Sequence, residues 1–342
     1  MDGYARMEYM LALSLCLSCC VYALPHVALQ DNRRNFPASN AQVHYNITNA
    51  EIDDRPAIDE VSYIDFDPAP SSATSSSKRP NVCKDCNCGL GRKTRIVGGN
   101  VTSVYDYPWL VSMSKKGTFY CAGSVITRKH VLTAAHCLQS FDIKTIKLVL
   151  MDSDHPSISS NAIVRHIKSA TIHENFNAYS FNNDIAIIEM DQPVPVNDVV
   201  RTACLPEDKT IDYTGAIATV VGWGRTGESK PVSDKLRKVN LPILSQEECD
   251  QAGYAKNRIT ENMFCSGYLD GGRDACFGDS GGPLHVKGVN GQLEVIGIVS
   301  WGRGCARPNF PGLYTKLTNY IGWLKDNLDE ECICPPPHQQ QN

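Results

Sequence analysis

The sequence lacks an excess of positive charge. Its 33 Lys and Arg residues face 37 Asp and Glu residues, which gives a formal net charge of −4 over 342 residues. Proteins that bind nucleic acids need a basic surface, so the composition gives no support to that class of partner. Hydrophobic residues make up 42% of the chain and charged residues only 20%. This balance excludes a chain that is disordered throughout.

The sequence also lacks an apolar run long enough to cross a membrane. The longest such stretch is Met10 to Leu24, and its 15 residues fall short of the ~20 that a spanning helix needs. Small residues at Val21 and Ala23 match the pattern before a signal cleavage site. We therefore predict that residues 1–23 are a signal peptide, and that the protein is secreted, extracellular and without a membrane partner. An uncleaved signal anchor is the alternative.

Cysteine, by contrast, is abundant. Fifteen cysteines are too many for a reduced cytosolic protein without a metal or redox role. Removal of the signal peptide takes away Cys16, Cys19 and Cys20 and leaves twelve. An even number is what a disulfide framework requires.

The two ends of the chain differ from its middle in amino-acid composition and in the pattern of apolar residues. Residues 24–82 are rich in Asn, Asp, Ser, Pro and Ala without apolar periodicity, which predicts a flexible prosegment. We extend this prosegment over residues 24–95, with a cysteine cluster at its end, and predict a disordered tail over residues 332–342. Asn46 and Asn100 each begin an Asn-X-Thr sequon and are predicted glycosylation sites.

The middle of the chain consists of short apolar runs. Such runs occupy residues 147–150, 184–190, 216–224 and 293–302, with Gly, Pro, Asn and Asp between them. This pattern is typical of an all-β sandwich or barrel. Only residues 318–330 have apolar side chains at helical spacing.

Three short motifs hold a set of residues with complementary chemistry. LTAAHC contains His136, NNDIAII contains Asp184, and GDSGGPL contains Ser280. A serine hydroxyl is a poor nucleophile until a base accepts its proton, and histidine can accept that proton and return it to a leaving group. A buried carboxylate can fix the imidazole tautomer. The set therefore predicts nucleophilic catalysis.

The glycines around Ser280 fit the same chemistry. Gly278 allows a backbone turn in which its N–H and that of Ser280 point at one oxyanion. Gly281 and Gly282 allow the chain to pass closely behind the nucleophile.

With these motifs, the sequence resembles the trypsin-like (chymotrypsin-fold) serine endopeptidases. The order His136, Asp184, Ser280 is that of the family, and the resemblance runs from Ile96 to about Glu330. It implies two six-stranded antiparallel β-barrels and a short C-terminal helix, which we assign to a domain over residues 96–331. The motifs that carry it are IVGG, TAAHC, NNDIAII, GWG, PI-x-S-x-x-EC, ITENMFCSGY, GDSGGPL, SWGRGC and PGLYTKL.

The resemblance also implies activation by proteolysis. Family members are zymogens that are cut before a motif such as IVGG, which here means a cut after Arg95 by a trypsin-like activating protease. The freed ammonium of Ile96 then pairs with Asp279, because an unpaired buried carboxylate is costly. Protein substrates and protein protease inhibitors are the further expected partners.

The resemblance places Asp274 at the base of the primary specificity pocket. A carboxylate there favours Arg or Lys before the cut bond. Ala275 replaces the serine of many relatives and removes a partner for a lysine ammonium, so we expect Arg to be preferred. The other expected substrate-binding residues are Ser300, Gly302 and Gly312.

The family pattern implies four disulfides and leaves four mature cysteines over. The implied pairs are Cys121–Cys137, Cys249–Cys265, Cys276–Cys305 and Cys88–Cys204. A further family disulfide is absent, since Ala218 and Val286 occupy its positions. The remaining cysteines, which allow three pairings, are Cys83, Cys86, Cys332 and Cys334. A zinc site is the alternative to bridges among them; we expect none, because the compartment is oxidising.

No cofactor is expected. Calcium bound in the loop that contains Asp152 and Asp154 is the alternative, and a solvated turn is the favoured interpretation there. The rival to an enzyme is a catalytically silent binding protein on the same fold, but such relatives typically lose the nucleophile or the base. The long prosegment favours a regulated extracellular cascade.

Overall fold

The computed structural model describes most of the chain after Asn100 and a short piece before it. The cleavage positions Ala23, Arg95 and Ile96 and the sequons at Asn46 and Asn100 lie outside the described residues. The described residues are 87–92, 101–153, 159–197, 199–207, 209–255, 257–288, 290–328, 331 and 333–334.

The first six strands form a closed antiparallel barrel. The strand order around it is β1-β2-β3-β6-β5-β4. Lys116 and Gly117 connect β1 to β2 and have φ angles of 50° and 82°, as in the two-residue hairpin turns that match strand twist. The strands are β1 (Leu110–Lys115), β2 (Thr118–Val125), β3 (His130–Thr133), β4 (Ile146–Leu150), β5 (Ile163–Ile172) and β6 (Ala186–Met190).

The second six strands form a curled sheet in the order β8-β7-β10-β11-β12-β9. Its two edges meet at a single bridge between Ile243 and Ser266. Pro242 ends β8 and has no N–H to continue a ladder, so this sheet closes less fully than the predicted second barrel. The prediction of an all-β fold with twelve strands is confirmed. The strands are β7 (Ile217–Gly222), β8 (Arg237–Pro242), β9 (Met263–Ser266), β10 (Pro283–Lys287), β11 (Leu293–Trp301) and β12 (Gly312–Lys316).

Two short α-helices accompany the strands. The predicted C-terminal helix is α2 (Ile321–Asp326), which follows a 3-10 turn. The other helix, α1 (Gln246–Gln251), was not predicted. Its signal was a capping box, in which Ser245 and Glu248 satisfy each other's backbone N–H groups. No helix in the described part of the chain is long and apolar enough to cross a membrane.

Both chain ends contribute ordered residues to the fold. Gly89 accepts a hydrogen bond from the Leu293 N–H over 2.8 Å and donates its own N–H to the carbonyl of Thr202 over 3.0 Å. Cys334 is buried, and its carbonyl accepts the Leu205 N–H over 3.2 Å. The end of the prosegment and the start of the tail therefore pack on the barrels. The predicted flexibility of the prosegment and of the tail otherwise concerns residues outside the described part of the chain, and it stays a prediction.

The disulfides among the described residues link strands and loops. Val286 lies opposite Ala218 on neighbouring strands, where the absent family disulfide would be. Cys334 is also disulfide-bonded, whereas Cys83, Cys86 and Cys332 lie outside the described residues. The four bonds are the four implied pairs, Cys88–Cys204, Cys121–Cys137, Cys249–Cys265 and Cys276–Cys305.

A buried histidine joins the two sheets. The Trp109 side chain, just before β1, donates its indole N–H to Nε2 of His285 on β10 over 2.8 Å. Nδ1 of His285 therefore carries the proton and donates to the Thr219 carbonyl over 3.0 Å. Burial lowers the pKa of His285 from 6.5 to about 4, because the charged imidazolium would lose its hydration.

We predict that His285 makes the fold sensitive to acid. Its pKa is lower in the folded state, so the unfolded state binds more protons and stability falls as the pH drops from 6.5 to 4. The loss from this residue is about 3 kcal/mol. Denaturant unfolding of a Ser280→Ala protein, which avoids self-digestion, should show this loss at pH 4 relative to pH 7.

His285→Gln should lose correspondingly less stability over the same pH interval. His166→Gln, at an exposed position on β5, is the matched control and should respond to acid as the parent does. An equal loss in parent and His285→Gln would contradict the prediction.

Candidate active site

His136 lies in a 3-10 turn (Ala135–Cys137) just after β3. The disulfide to Cys121 on β2 holds this turn against the barrel, and the Tyr120 hydroxyl donates to the Cys137 carbonyl over 3.0 Å. The His136 side chain is 22% exposed. One face of the imidazole is therefore accessible while its backbone is fixed.

Asp184 is fully buried beside His136. Its Oδ2 accepts the His136 Nδ1–H over 2.7 Å, and its Oδ1 accepts the His136 backbone N–H over 2.9 Å. The Ser300 hydroxyl donates to Oδ2 over 2.5 Å. This carboxylate is hydrogen-bonded at both oxygens, and it leaves Nε2 of the imidazole free to accept a proton.

The two asparagines before Asp184 fix its loop. Asn183 has a φ of 58°, a left-handed conformation that asparagine tolerates better than most residues. Its Oδ1 accepts the Tyr320 hydroxyl over 2.8 Å. Oδ1 of Asn182 accepts the Thr260 hydroxyl over 2.8 Å. The NND motif thus ties the first barrel to the segments around the second sheet.

Ser280 lies in a glycine-rich turn pressed against the first barrel. The Ser280 carbonyl accepts the Ala122 N–H over 2.8 Å. Gly281 has a φ of 76°, and a Cβ there would lie 2.3 Å from the Thr133 hydroxyl. Only glycine therefore allows this approach. The N–H groups of Gly278 and Ser280 donate to no other described residue.

Ser280, His136 and Asp274 line one cavity of about 810 Å³. Asp274 is half-buried, and its Oδ2 accepts the Ala306 N–H over 3.0 Å. Its Oδ1 has no hydrogen-bond partner among the described residues. Burial raises the pKa of Asp274 to about 7. The cavity therefore joins a candidate nucleophile and base to a carboxylate with one oxygen, Oδ1, that has no partner among the described residues.

The other predicted substrate-binding residues line the same cavity. Ala275, Ser300, Gly302 and Gly312 all do so. A Cβ on Gly302 would meet no atom closer than 3.8 Å, so the absence of a side chain keeps this wall open. A Cβ on Gly312 would come within 2.9 Å of Oδ1 of Asp274. Ser300 belongs both to this wall and to the surroundings of Asp184.

Asp279, next to Ser280, is buried without a cation among the described residues. Its oxygens accept the N–H groups of Gly224 over 2.8 Å and Cys276 over 2.9 Å. Burial raises its pKa to about 6. A Cβ on Gly222 or Gly224 would lie 2.0 or 2.2 Å from a carboxylate oxygen, which accounts for the glycines of the GWG motif. Asp279 also lines a second cavity of about 260 Å³.

The described part of the chain offers little to a metal ion. Cys121, His136 and Cys137 lie close together, but the two sulfurs form a disulfide and cannot act as thiolate ligands. Asp152 is buried, and its Oδ2 accepts the Ser159 N–H over 3.2 Å. Asp152 is therefore not the residue of a solvated turn that the sequence predicted. Asp154 lies outside the described residues.

The sequence analysis missed the wall of the cavity beyond Gly302. Trp301 packs against Phe181, with ring centroids 6.3 Å apart, and Phe181 lies 5.6 Å from the His136 ring. Arg258 and Arg303 line the same wall. Arg303 lies within SWGRGC. This motif was identified only as a family motif, although its arginine indicated a positive charge at this wall.

Comparison with known proteins agrees with this geometry. The family model described as trypsin matches residues 96–324, so the chain belongs to the trypsin family of serine proteases and is a trypsin-like serine endopeptidase. It is 34% identical over 272 residues to the clotting factor G beta subunit of Tachypleus tridentatus, covering 75% of this chain and 88% of the relative.

Two further relatives have similar identities. The proclotting enzyme of Tachypleus tridentatus is 34% identical over 279 residues, which cover 76% of this chain and 74% of that protein. Transmembrane protease serine 11G of Rattus norvegicus is 35% identical over 247 residues, which cover 71% of this chain and 58% of that protein. The chain is therefore related to proteases of clotting cascades.

We predict that Gly281→Ala disrupts the Ser280 turn. The new Cβ would meet the Thr133 hydroxyl and the Ala122 carbonyl, and overpacking of this kind costs about 1–3 kcal/mol beyond backbone strain. Gly117→Ala is the matched control, because its φ of 82° is similar but a Cβ there meets nothing within 4 Å. Denaturant unfolding should show the larger loss for Gly281→Ala, and equal losses would contradict the proposed contact.

Proposed function

We propose that the protein is a secreted zymogen whose cut form hydrolyses peptide bonds after Arg, and less readily after Lys. The observation that carries the proposal is the shared cavity, in which Ser280 and the His136–Asp184 pair stand above an Asp274 oxygen without a hydrogen-bond partner. A guanidinium or ammonium group would supply the missing partner.

In the proposed mechanism, Ser280 Oγ attacks the carbonyl carbon of the cut bond while Nε2 of His136 accepts the hydroxyl proton. The N–H groups of Gly278 and Ser280 bind the developing oxyanion. The C–N bond then breaks, and His136 returns the proton to the leaving amine. Water repeats the sequence and releases the acyl group from Ser280. Asp184 holds the required tautomer and stabilises the imidazolium.

The preference for Arg rests on the base of the cavity. Arg can reach a carboxylate with two donors, whereas a Lys ammonium relies on additional acceptors around it. Ala275 offers no hydroxyl beside Asp274. It therefore leaves one acceptor fewer for Lys than a serine at position 275 would provide.

Activation is proposed to occur by cleavage after Arg95. The freed Ile96 ammonium would insert beside Asp279 and neutralise its buried charge, which fixes the turn that bears Gly278 and Ser280. The cutting enzyme would itself be trypsin-like, because the bond follows Arg. The Cys88–Cys204 disulfide would keep the cut prosegment attached.

The relatives named for clotting support a role in an extracellular proteolytic cascade. The proposed secretion rests on the signal-like N-terminus and on the disulfides. Protein inhibitors and glycosylation at Asn46 and Asn100 complete the proposal. The rival, a catalytically silent binding protein, is disfavoured because His136, Asp184 and Ser280 are all retained.

We predict that the protein cut after Arg95 hydrolyses a peptide amide ending in Arg faster than the matched Lys amide, and a Phe amide not at all. Asp274→Ser should lower kcat/KM for the Arg amide by at least about a hundredfold, because a buried charged hydrogen bond is lost. Since cation binding needs the ionised carboxylate, KM for the Arg amide should fall as the pH rises through about 7.

Two controls accompany this assay. Ser280→Ala should be inactive on all amides, and Arg95→Gln should stay inactive after treatment with trypsin. Cleavage of the Phe amide would contradict the assignment of Asp274. If none of the amides is hydrolysed although Ile96 is shown to be the new N-terminus, the result would favour the catalytically silent binding protein.

A further inference from the structure

Arg258 forms part of the active-site cavity wall between two aromatic rings. Its guanidinium lies 5.1 Å from the Trp301 ring centroid and 5.2 Å from that of Tyr179. Tyr179 is 83% exposed, and Arg258 is half-buried. Stacking of this kind holds a guanidinium in place without neutralising its charge.

Arg303 brings a second positive charge to the same wall. Its guanidinium lies 4.8 Å from the Phe310 ring centroid, and its backbone N–H donates to the Tyr254 hydroxyl over 3.3 Å. The side chain is exposed. Like Arg258, it is positioned by an aromatic ring.

The charge of a nearby arginine, Arg307, is neutralised by a carboxylate. Glu228 accepts hydrogen bonds from two nitrogens of Arg307, one of them Nη2 over 2.7 Å. Neither Arg258 nor Arg303 forms an ion pair with any described carboxylate. Apart from His136, the charged residues that line the cavity in the described structure are these two arginines and Asp274.

The reaction geometry indicates which part of a substrate meets these arginines. At the cut residue, the carbonyl faces Ser280, the leaving nitrogen faces His136, and the side chain reaches towards Asp274. The remaining branch, the chain on the amino side, would then follow the part of the cavity wall that contains Trp301, the open Gly302 and Arg303. The three residues that precede the cut Arg would therefore pass the two guanidinium groups.

We propose that Arg258 and Arg303 select substrates with acidic side chains within the three residues that precede the cut Arg, and reject substrates with basic side chains there. This inference rests on the proposed function. Coulomb attraction for Asp or Glu and repulsion for Lys or Arg would both act here, and repulsion contributes to specificity as much as attraction. The protease would thus prefer a basic side chain at the cut residue and an acidic side chain among the residues before it.

The selection has a consequence for the chain's own activation site. The residues before the Arg95 bond include Arg92 and Lys93, which carry the disfavoured charge. The active protease should therefore cut its own zymogen poorly, so that activation depends on a different enzyme. This would separate the initiating step from the protease it switches on.

The test uses the protein cut after Arg95 and tetrapeptide amides that end in Arg. The peptides carry Asp, Gln or Lys at the second, third or fourth position before the cut bond. We expect kcat/KM for the best Asp peptide to exceed that for the matching Lys peptide by about tenfold, since attraction of Asp and repulsion of Lys each contribute up to about fivefold. Added salt should reduce this ratio.

The variants Arg258→Gln and Arg303→Gln should each bring the Asp to Lys ratio towards one. The matched control is Arg165→Gln, because Arg165 lies on β5 of the first barrel and should keep the ratio. Turnover of the Gln peptides with equal Asp and Lys rates would overturn the inference while leaving the proposed function intact. No turnover of any peptide would instead contradict the proposed function.

A second arm uses the Ser280→Ala zymogen as a protein substrate, with the new Ile96 N-terminus measured by mass spectrometry. The active protease should cut this zymogen slowly, and the additional changes Arg92→Asp and Lys93→Asp should accelerate cutting by at least about tenfold. Trypsin cleavage of both proteins would show that the bond is accessible. Equal cutting of both by the active protease would overturn the inference.

Discussion

Burial of a carboxylate is the constraint around which this protein is organised. A buried charge is costly unless hydrogen bonds or an opposite charge compensate it. Asp184 and Asp279 are buried, Asp274 is half-buried with one buried oxygen, and each is compensated to a different degree. Asp184 accepts hydrogen bonds at both oxygens from side chains and backbone. Among the described residues, Asp279 accepts only from two backbone N–H groups, and Oδ1 of Asp274 has no partner.

These differences in hydrogen bonding match the different roles proposed for the three carboxylates. A fully satisfied Asp184 is suited to a permanent task, the orientation of His136. The raised pKa values of Asp279 and Asp274 indicate that each would gain from a cation that arrives later. For Asp279 that cation would be the freed N-terminus, and for Asp274 the side chain of the substrate. Activation and recognition then become two instances of the same physical event.

Much of this organisation could be predicted from the sequence because local motifs encode it. The Asn-Asn pair before Asp184 and the glycines around Ser280 are required by the conformations that the structure contains. Features that depend on distant contacts were missed. Composition and periodicity cannot predict the closure of the second sheet at Ile243, the packing of Gly89 and Cys334, or the burial of Asp152.

The arginines of the cavity wall escaped prediction for a related reason. A charged residue in a loop normally faces solvent, and only its aromatic neighbours and the absence of a described acidic partner set Arg258 and Arg303 apart. Helix α1 was different, since its capping box at Ser245 was present in the sequence. A capping box can be recognised in the sequence, whereas the balance of charges within a cavity can be determined only once the fold is known.

The central claim is that Asp279 gains a compensating charge only when the chain is cut. Its most direct test is the free energy of unfolding of the Ser280→Ala protein at pH 7, uncut and cut after Arg95, with and without Asp279→Asn. We expect cutting to stabilise the protein with Asp279 by about 3 kcal/mol relative to its effect on the Asp279→Asn protein. The same change on cutting in both proteins would contradict the account.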